Sequence, residues 1–223
     1  MIELVARRLG RLRDDVVFLG GAATALLITD AAAPDVRSTM DVDVIVEVTS
    51  TLDYYRLAEE LRSLGFAEDV GEDAPLCRWR VGGIAVDIMP TDEKILGFSN
   101  RWYLPALQHA VIREIAGEIT IRLVSAPFFL ATKIEAFHGR GNGDFMASHD
   151  MEDIISLIDG RVEIIAEVLG APEDVHRFLA VNFNEFLTNN YFLGALPGHL
   201  LPDPASQQRI PLILDRINAI AKG

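Results

Sequence analysis

The chain is poor in cysteine, in aromatic residues and in positive charge: one cysteine in 223 residues, 8% Phe, Trp and Tyr, and 20 lysines and arginines against 33 aspartates and glutamates. With no second thiol, Cys77 forms no intramolecular disulfide, and with no cysteine ligands beside it there is no zinc motif, so it reads as a buried small hydrophobe. The five histidines, His138 and His149 among them, lack HExxH or related ligand spacing, which removes a zinc hydrolase. A formal net charge of -13 repels a phosphate backbone, because nucleic-acid affinity rests on lysine and arginine displacing condensed counterions. The expectation is no unaided grip on an extended nucleic acid, while a short or structured RNA remains compatible with a local basic cluster. Phe128, Phe129, Phe178, Phe183 and Phe186 are not interleaved with basic residues and are expected in the core.

Long apolar runs are missing too. The longest, Val16 to Ile28, is broken by Gly20-Gly21 and is too short to cross a bilayer, so no membrane span is expected. Charges spread through the first fifteen residues leave no secretory signal, and the protein reads as cytoplasmic. What is present is hydrophobic residue in quantity, 50% of the chain, enough to bury a core as one compact unit or two small lobes.

Ile2, Val5, Leu9 and Leu12 recur at helical spacing before the strand-like Val16 to Leu19; Gly20-Gly21 and AATALLI then predict a tight turn and a buried helix. Met40 to Val46 alternates as a strand, and Leu57, Leu61 and Leu64 mark a helix ended by Gly65. Hairpins are predicted around Gly82-Gly83 and around Gly117. Pro127 opens a helix to about His138, followed by helices over Met151 to Ile158, Val162 to Leu169, Pro172 to about Asn189, and Gln207 to Ala221. The expected fold is α+β, a small mixed sheet with flanking helices over residues 1–125 and an all-α half over 126–223 packed against it across a cleft.

Residues two apart on a strand project to one side, so Asp41 and Asp43 present neighbouring carboxylates, and Asp87 on an adjacent strand adds a third. Oxygen-only ligands favour magnesium or manganese, and three acids can hold two such ions, one activating an attacking hydroxyl and the other stabilising a leaving pyrophosphate. Gly20-Gly21 at a helix N-terminus lets a triphosphate approach backbone amides, with Arg37 and Thr39 as supplements. Plainer roles stand beside these: two acids keeping a strand face soluble, Asp87 paired with Arg78 or Arg80 across the hairpin, Gly20-Gly21 as a simple connection, and Asp150 capping a helix or pairing with Arg140. Asp144 and Asp153 lie in the same acidic stretch as Asp150.

VFLGG, RSTMDVDVIVE and VDIMP together resemble the DNA polymerase beta-type nucleotidyltransferases, especially the small prokaryotic branch related to AbiEii-like toxins, and FLATKIEAFHGRGNGDFMASHDMEDIISLI resembles their helical part. The resemblance covers roughly Val16 to Ile158. It implies a nucleotidyltransferase core, phosphate held at Gly20 and Gly21, metal held by Asp41, Asp43 and Asp87, acceptor activation through Asp87, and a triphosphate contact from Lys133. It further implies transfer of NMP from an NTP to an RNA end, a small molecule or a protein, and a role as the toxin of a toxin-antitoxin pair with an antitoxin partner. Gly21 stands where many relatives carry a phosphate-touching serine, and the interval to Asp41 is longer than in polymerases. Two rivals are a non-catalytic nucleotide-binding or interaction module of the same fold, and a glycosyltransferase, whose Asp-x-Asp normally belongs to a larger doubly wound domain.

Overall fold

A computed structural model describes residues 1–141 and 143–223; Asn142, inside the helical stretch quoted above, lies outside the described residues. The fold is mixed α+β, and the chain divides into two compact units, Met1–Ala23 with Arg37–Ser125, and Thr24–Val36 with Ala126–Gly223.

The first unit opens with α1 (Ile2–Leu9), which buries Val5, Ala6 and Leu9; a tighter turn over Gly10–Asp14 follows and buries Leu12, where sequence spacing alone continues the helix. β1 (Val16–Leu19) is buried at every position, as a strand covered on both faces must be. α2 (Gly20–Leu27) starts directly after it, with φ of 72° at Gly20, a conformation glycine adopts without steric cost. β2 (Asp41–Val46) is followed by α3 (Thr51–Ser63), whose N-cap Ser50 accepts a hydrogen bond from the Asp53 amide at 3.1 Å.

The rest of the sheet is β3 (Ala67–Glu68), β4 (Arg78–Val81), β5 (Ile84–Pro90), then, after the short helices α4 (Glu93–Leu96) and α5 (Tyr103–Gln108), β6 (Val111–Ile115) and β7 (Ile119–Leu123). Both predicted hairpins form. Gly82 and Gly83, at φ 56° and 82°, supply the paired positive φ of a two-residue turn that sets Val81 opposite Ile84. The seven strands run in the order β3-β4-β5-β2-β1-β7-β6; β2 is parallel to β5 and β1 to β7, and the remaining pairings are antiparallel.

In the second unit, α6 (Ala126–Arg140), α7 (His149–Gly160), α8 (Ile164–Leu169), α9 (Glu173–Thr188), α10 (Asn190–Ala195), α11 (Pro204–Gln207) and α12 (Ile210–Lys222) follow one another. Phe137, Phe145, Phe183, Phe186 and Phe192 form a chain of ring contacts, including an edge-on pair Phe137–Phe186 at 6.2 Å and a stacked pair Phe186–Phe192 at 5.2 Å. Phe128 and Phe129 are buried as expected, whereas Phe178 is only half-buried.

The helix expected over Gln207 to Ala221 is α12, which starts at Ile210 with Pro211 in its first turn, and the short α11, capped by Asp203 through the Ala205 and Ser206 amides, precedes it. Residues 24–36 belong to this unit through their backbone: the Thr29 and Asp30 amides both donate to the Gly160 carbonyl at 2.9 Å. Gly160 has no room for a side chain there, since a Cβ would sit 2.5 Å from Ile28 Cδ1. Among the described residues, no helix is long and apolar enough to cross a membrane.

Candidate functional site

Strand register assembles the site. Leu19 of β1 lies opposite Asp43 of β2, Asp43 beside Asp87 of β5, and Asp87 opposite Arg78 of β4, so one row across four strands reads Leu19, Asp43, Asp87, Arg78. Asp41 lies two residues before Asp43 and shares its face by strand alternation. The intervening Val42 and Val44, with Val86 and Ile88 on β5, are fully or almost fully buried, which pins the strands and fixes where the carboxylates emerge.

The end of β1 completes the row. A Cβ on Gly20 would collide with the Asp43 carboxylate, so this side chain occupies space that exists only because residue 20 is glycine. A Cβ on Gly21 would lie 2.6 Å from both Arg37 Nη2 and Thr39 Cγ2. The guanidinium and the threonine therefore fill the place a serine side chain at position 21 would need. Thr39 also donates its hydroxyl to the Asp41 carbonyl at 3.3 Å, tying the approach to β2 against the site.

Arg78 binds two of the acids at once. Its Nε and Nη2 donate to Asp87 Oδ1 and Oδ2 at 2.7 and 2.8 Å, a bidentate pairing, and Nη2 also donates to Asp41 Oδ2 at 3.0 Å. Hydrogen bonding to Asp87, reinforced by the charges of Asp87 and Asp41, holds the guanidinium's pKa above its ordinary value. Arg80, opposite Ala85, turns instead to Asp69 at 2.7 Å. Of the two arginines weighed for Asp87, register selects Arg78, since a two-residue turn leaves no freedom in which one stands opposite. The bridge from Arg78 on to Asp41 is not visible in sequence, because it depends on β2 lying next to β5.

Cys77, adjacent to Arg78, is buried. Burial, and next the charge of Asp87, push its thiol up to about 12, so it stays protonated and serves packing, as expected.

Seven of the eight expected site residues thus come together in the first unit: Gly20, Gly21, Arg37, Thr39, Asp41, Asp43 and Asp87. Lys133 lies on α6 in the second unit, where its buried ammonium pairs with Asp150 Oδ1 at 3.1 Å and Asp153 Oδ2 at 2.6 Å. Arg140 binds both oxygens of Asp150 at 3.0 Å, and the N-cap of α7 is Ser148, whose hydroxyl accepts from the Met151 amide at 3.3 Å. Pairing, not capping, is therefore the role of Asp150. Asp144 accepts the Met146 and Ala147 amides at 3.0 and 2.9 Å and holds the preceding turn.

Oxygen-only donors on adjacent strands, with one carboxylate seated over a glycine, suit a hard divalent cation such as magnesium or manganese. Among the described residues, no group of three acid, histidine or cysteine side chains already converges as a cation cage, and Arg78 stands between two of the candidate ligands. Compared with known proteins, the chain matches no family model and no curated protein.

Proposed function

We propose that the chain is a divalent-metal-dependent nucleotidyltransferase that transfers a nucleoside monophosphate from an NTP to an acceptor hydroxyl and releases pyrophosphate. The observation that carries this reading is the row Leu19–Asp43–Asp87, which sets two carboxylates side by side at the point where Gly20-Gly21 opens α2. In this reading the sheet unit is the nucleotidyltransferase core and α6 to α12 form an all-α C-terminal half.

Asp41, Asp43 and Asp87 would hold the metal, which when bound supplies charge neutralisation and lowers the pKa of the attacking hydroxyl. Amides at the N-terminus of α2 and the Arg37 guanidinium, which packs over Gly21, meet the negative phosphates. Thr39 steadies the strand entry that carries Asp41. Asp87, at the far end of the row from the glycine turn, faces the acceptor. The acceptor oxygen forms a bond to the α-phosphorus, the bond from that phosphorus to the bridging oxygen breaks, the hydroxyl proton passes to water, and pyrophosphate departs. Lys133 enters this scheme only by exchanging Asp150 and Asp153 for phosphate, since its ammonium is committed to both. Acceptor classes consistent with the resemblance are RNA ends, small hydroxylated molecules and protein side chains, with a toxin role restrained by an antitoxin as the biological setting.

A second reading, a non-catalytic nucleotide-binding or interaction module, is favoured by one observation: Arg78 already neutralises two of the three acids. The two readings separate on magnesium-dependent transfer from each α-labelled NTP into the RNA, protein and small-molecule fractions of a cell extract. The expected result is label in one fraction, lost with Asp41→Ala/Asp43→Ala. No label in any fraction from demonstrably folded protein selects the module.

A further inference from the structure

We propose that Arg78 is a positioning residue that competes with the divalent cation: it holds Asp41 and Asp87 until the metal takes them, so that metal binding requires the guanidinium to leave. This inference rests on the nucleotidyltransferase reading and assigns to that site a control that none of its acids provides.

Both oxygens of Asp87 and one oxygen of Asp41 are engaged by the guanidinium. A magnesium or manganese ion drawn to these carboxylates would compete with the guanidinium for their oxygens, and repulsion between the two positive charges across the largely buried Asp87 would drive the guanidinium off. Asp87 sits at 8% exposure, so its charge is costly to leave unpaired, and Arg78 meets that cost when no metal does. Exchange is open to the arginine because it stands at the first residue of β4, after the loop through Cys77, and its side chain keeps 24% of its surface in solvent. The fork geometry matters as much as the charge, because a guanidinium spans two carboxylates where an ammonium presents a single point. The consequence is a site that stays closed at low free metal and fills only at a higher metal concentration than three uncompensated acids would need.

The test is titration of the full chain with Mn2+ alone, read by electron paramagnetic resonance of the free ion, with thermal midpoints in chelator and in Mn2+, for wild type, Arg78→Met, Arg78→Lys and Asp43→Asn. Arg78→Met is expected to bind Mn2+ about tenfold tighter, the equivalent of ~1.4 kcal/mol, with a lower midpoint in chelator and a larger rise on adding Mn2+. Arg78→Lys, which keeps the charge but not the fork, falls between and carries the test if Arg78→Met does not fold. Equal or weaker Mn2+ binding in the Arg78 variants, with binding lost in Asp43→Asn, overturns the competition while leaving the metal site standing. Absence of binding in every protein, wild type included, overturns the metal site and the competition together.

Discussion

Two clusters of opposed charge, one on the sheet and one on the helices, each set two aspartates around one cation, an arginine in the first and a lysine in the second, and they differ in their solvent. On the helices, the Lys133, Asp150 and Asp153 side chains are 9%, 7% and 2% exposed. On the sheet, Arg78, Asp41 and Asp87 are 24%, 37% and 12% exposed. In the drier cluster each charge depends on its partner, since an ion without one would sit in a medium that cannot solvate it. In the wetter cluster solvent reaches Asp41 and Arg78, while Asp87 still needs a cation beside it.

The largest effect should come from breaking the dry cluster. Lys133→Ala leaves Asp153 without the cation at 2.6 Å, and a loss of roughly 3–5 kcal/mol is expected in the urea unfolding free energy. A loss below about 1 kcal/mol would mean that the cluster is solvated like the one on the sheet and would remove the contrast.

Next in size is Gly20→Ala. Holding alanine at φ 72° costs ~1–2 kcal/mol, and the new methyl group must also displace the Asp43 carboxylate. Lower stability together with weakened Mn2+ binding is the expected pair of results; lost stability with unchanged Mn2+ affinity would place Asp43 outside the metal site.

The smallest effect concerns pH. Burial raises the Asp150 carboxyl pKa, but bonding from Arg140 and the charge of Lys133 outweigh it, and the net position is below the ordinary aspartate value. A depressed carboxylate contributes stability that is fully present above its unfolded pKa, ~3.9, and is lost as pH falls through the folded value. The stability difference between wild type and Asp150→Asn should therefore be constant near neutrality and shrink below about pH 4. A difference that stays the same down to pH 3 would show that the pairing contributes nothing through ionisation.

Much of the first unit was legible because local rules decide it. Alternation over Asp41 to Val46 and the paired glycines at 82 and 83 specify a strand and a hairpin without reference to the rest of the chain. The short helices α4, α5, α10 and α11 were not legible, since four to six residues carry too few turns for periodicity to register. Position 21 is instructive: in sequence the glycine looks like a lost phosphate ligand, while the fold shows Arg37 and Thr39 packed where a side chain would go.

By itself the sequence determined which residues share a strand face, where the chain turns, and that three aspartates stand on strands, because these follow from the two-residue repeat of a strand and the backbone freedom of glycine. Only the tertiary structure decided that β5 lies beside β2 and β1 on its other side, which gathers Asp87, Asp43 and Gly20 into one row. The same strand order brings Arg78 within 3.0 Å of Asp41, 37 residues away in the chain. Contacts of this kind depend on the order of strands in a sheet, which buried apolar faces settle collectively and no local pattern encodes.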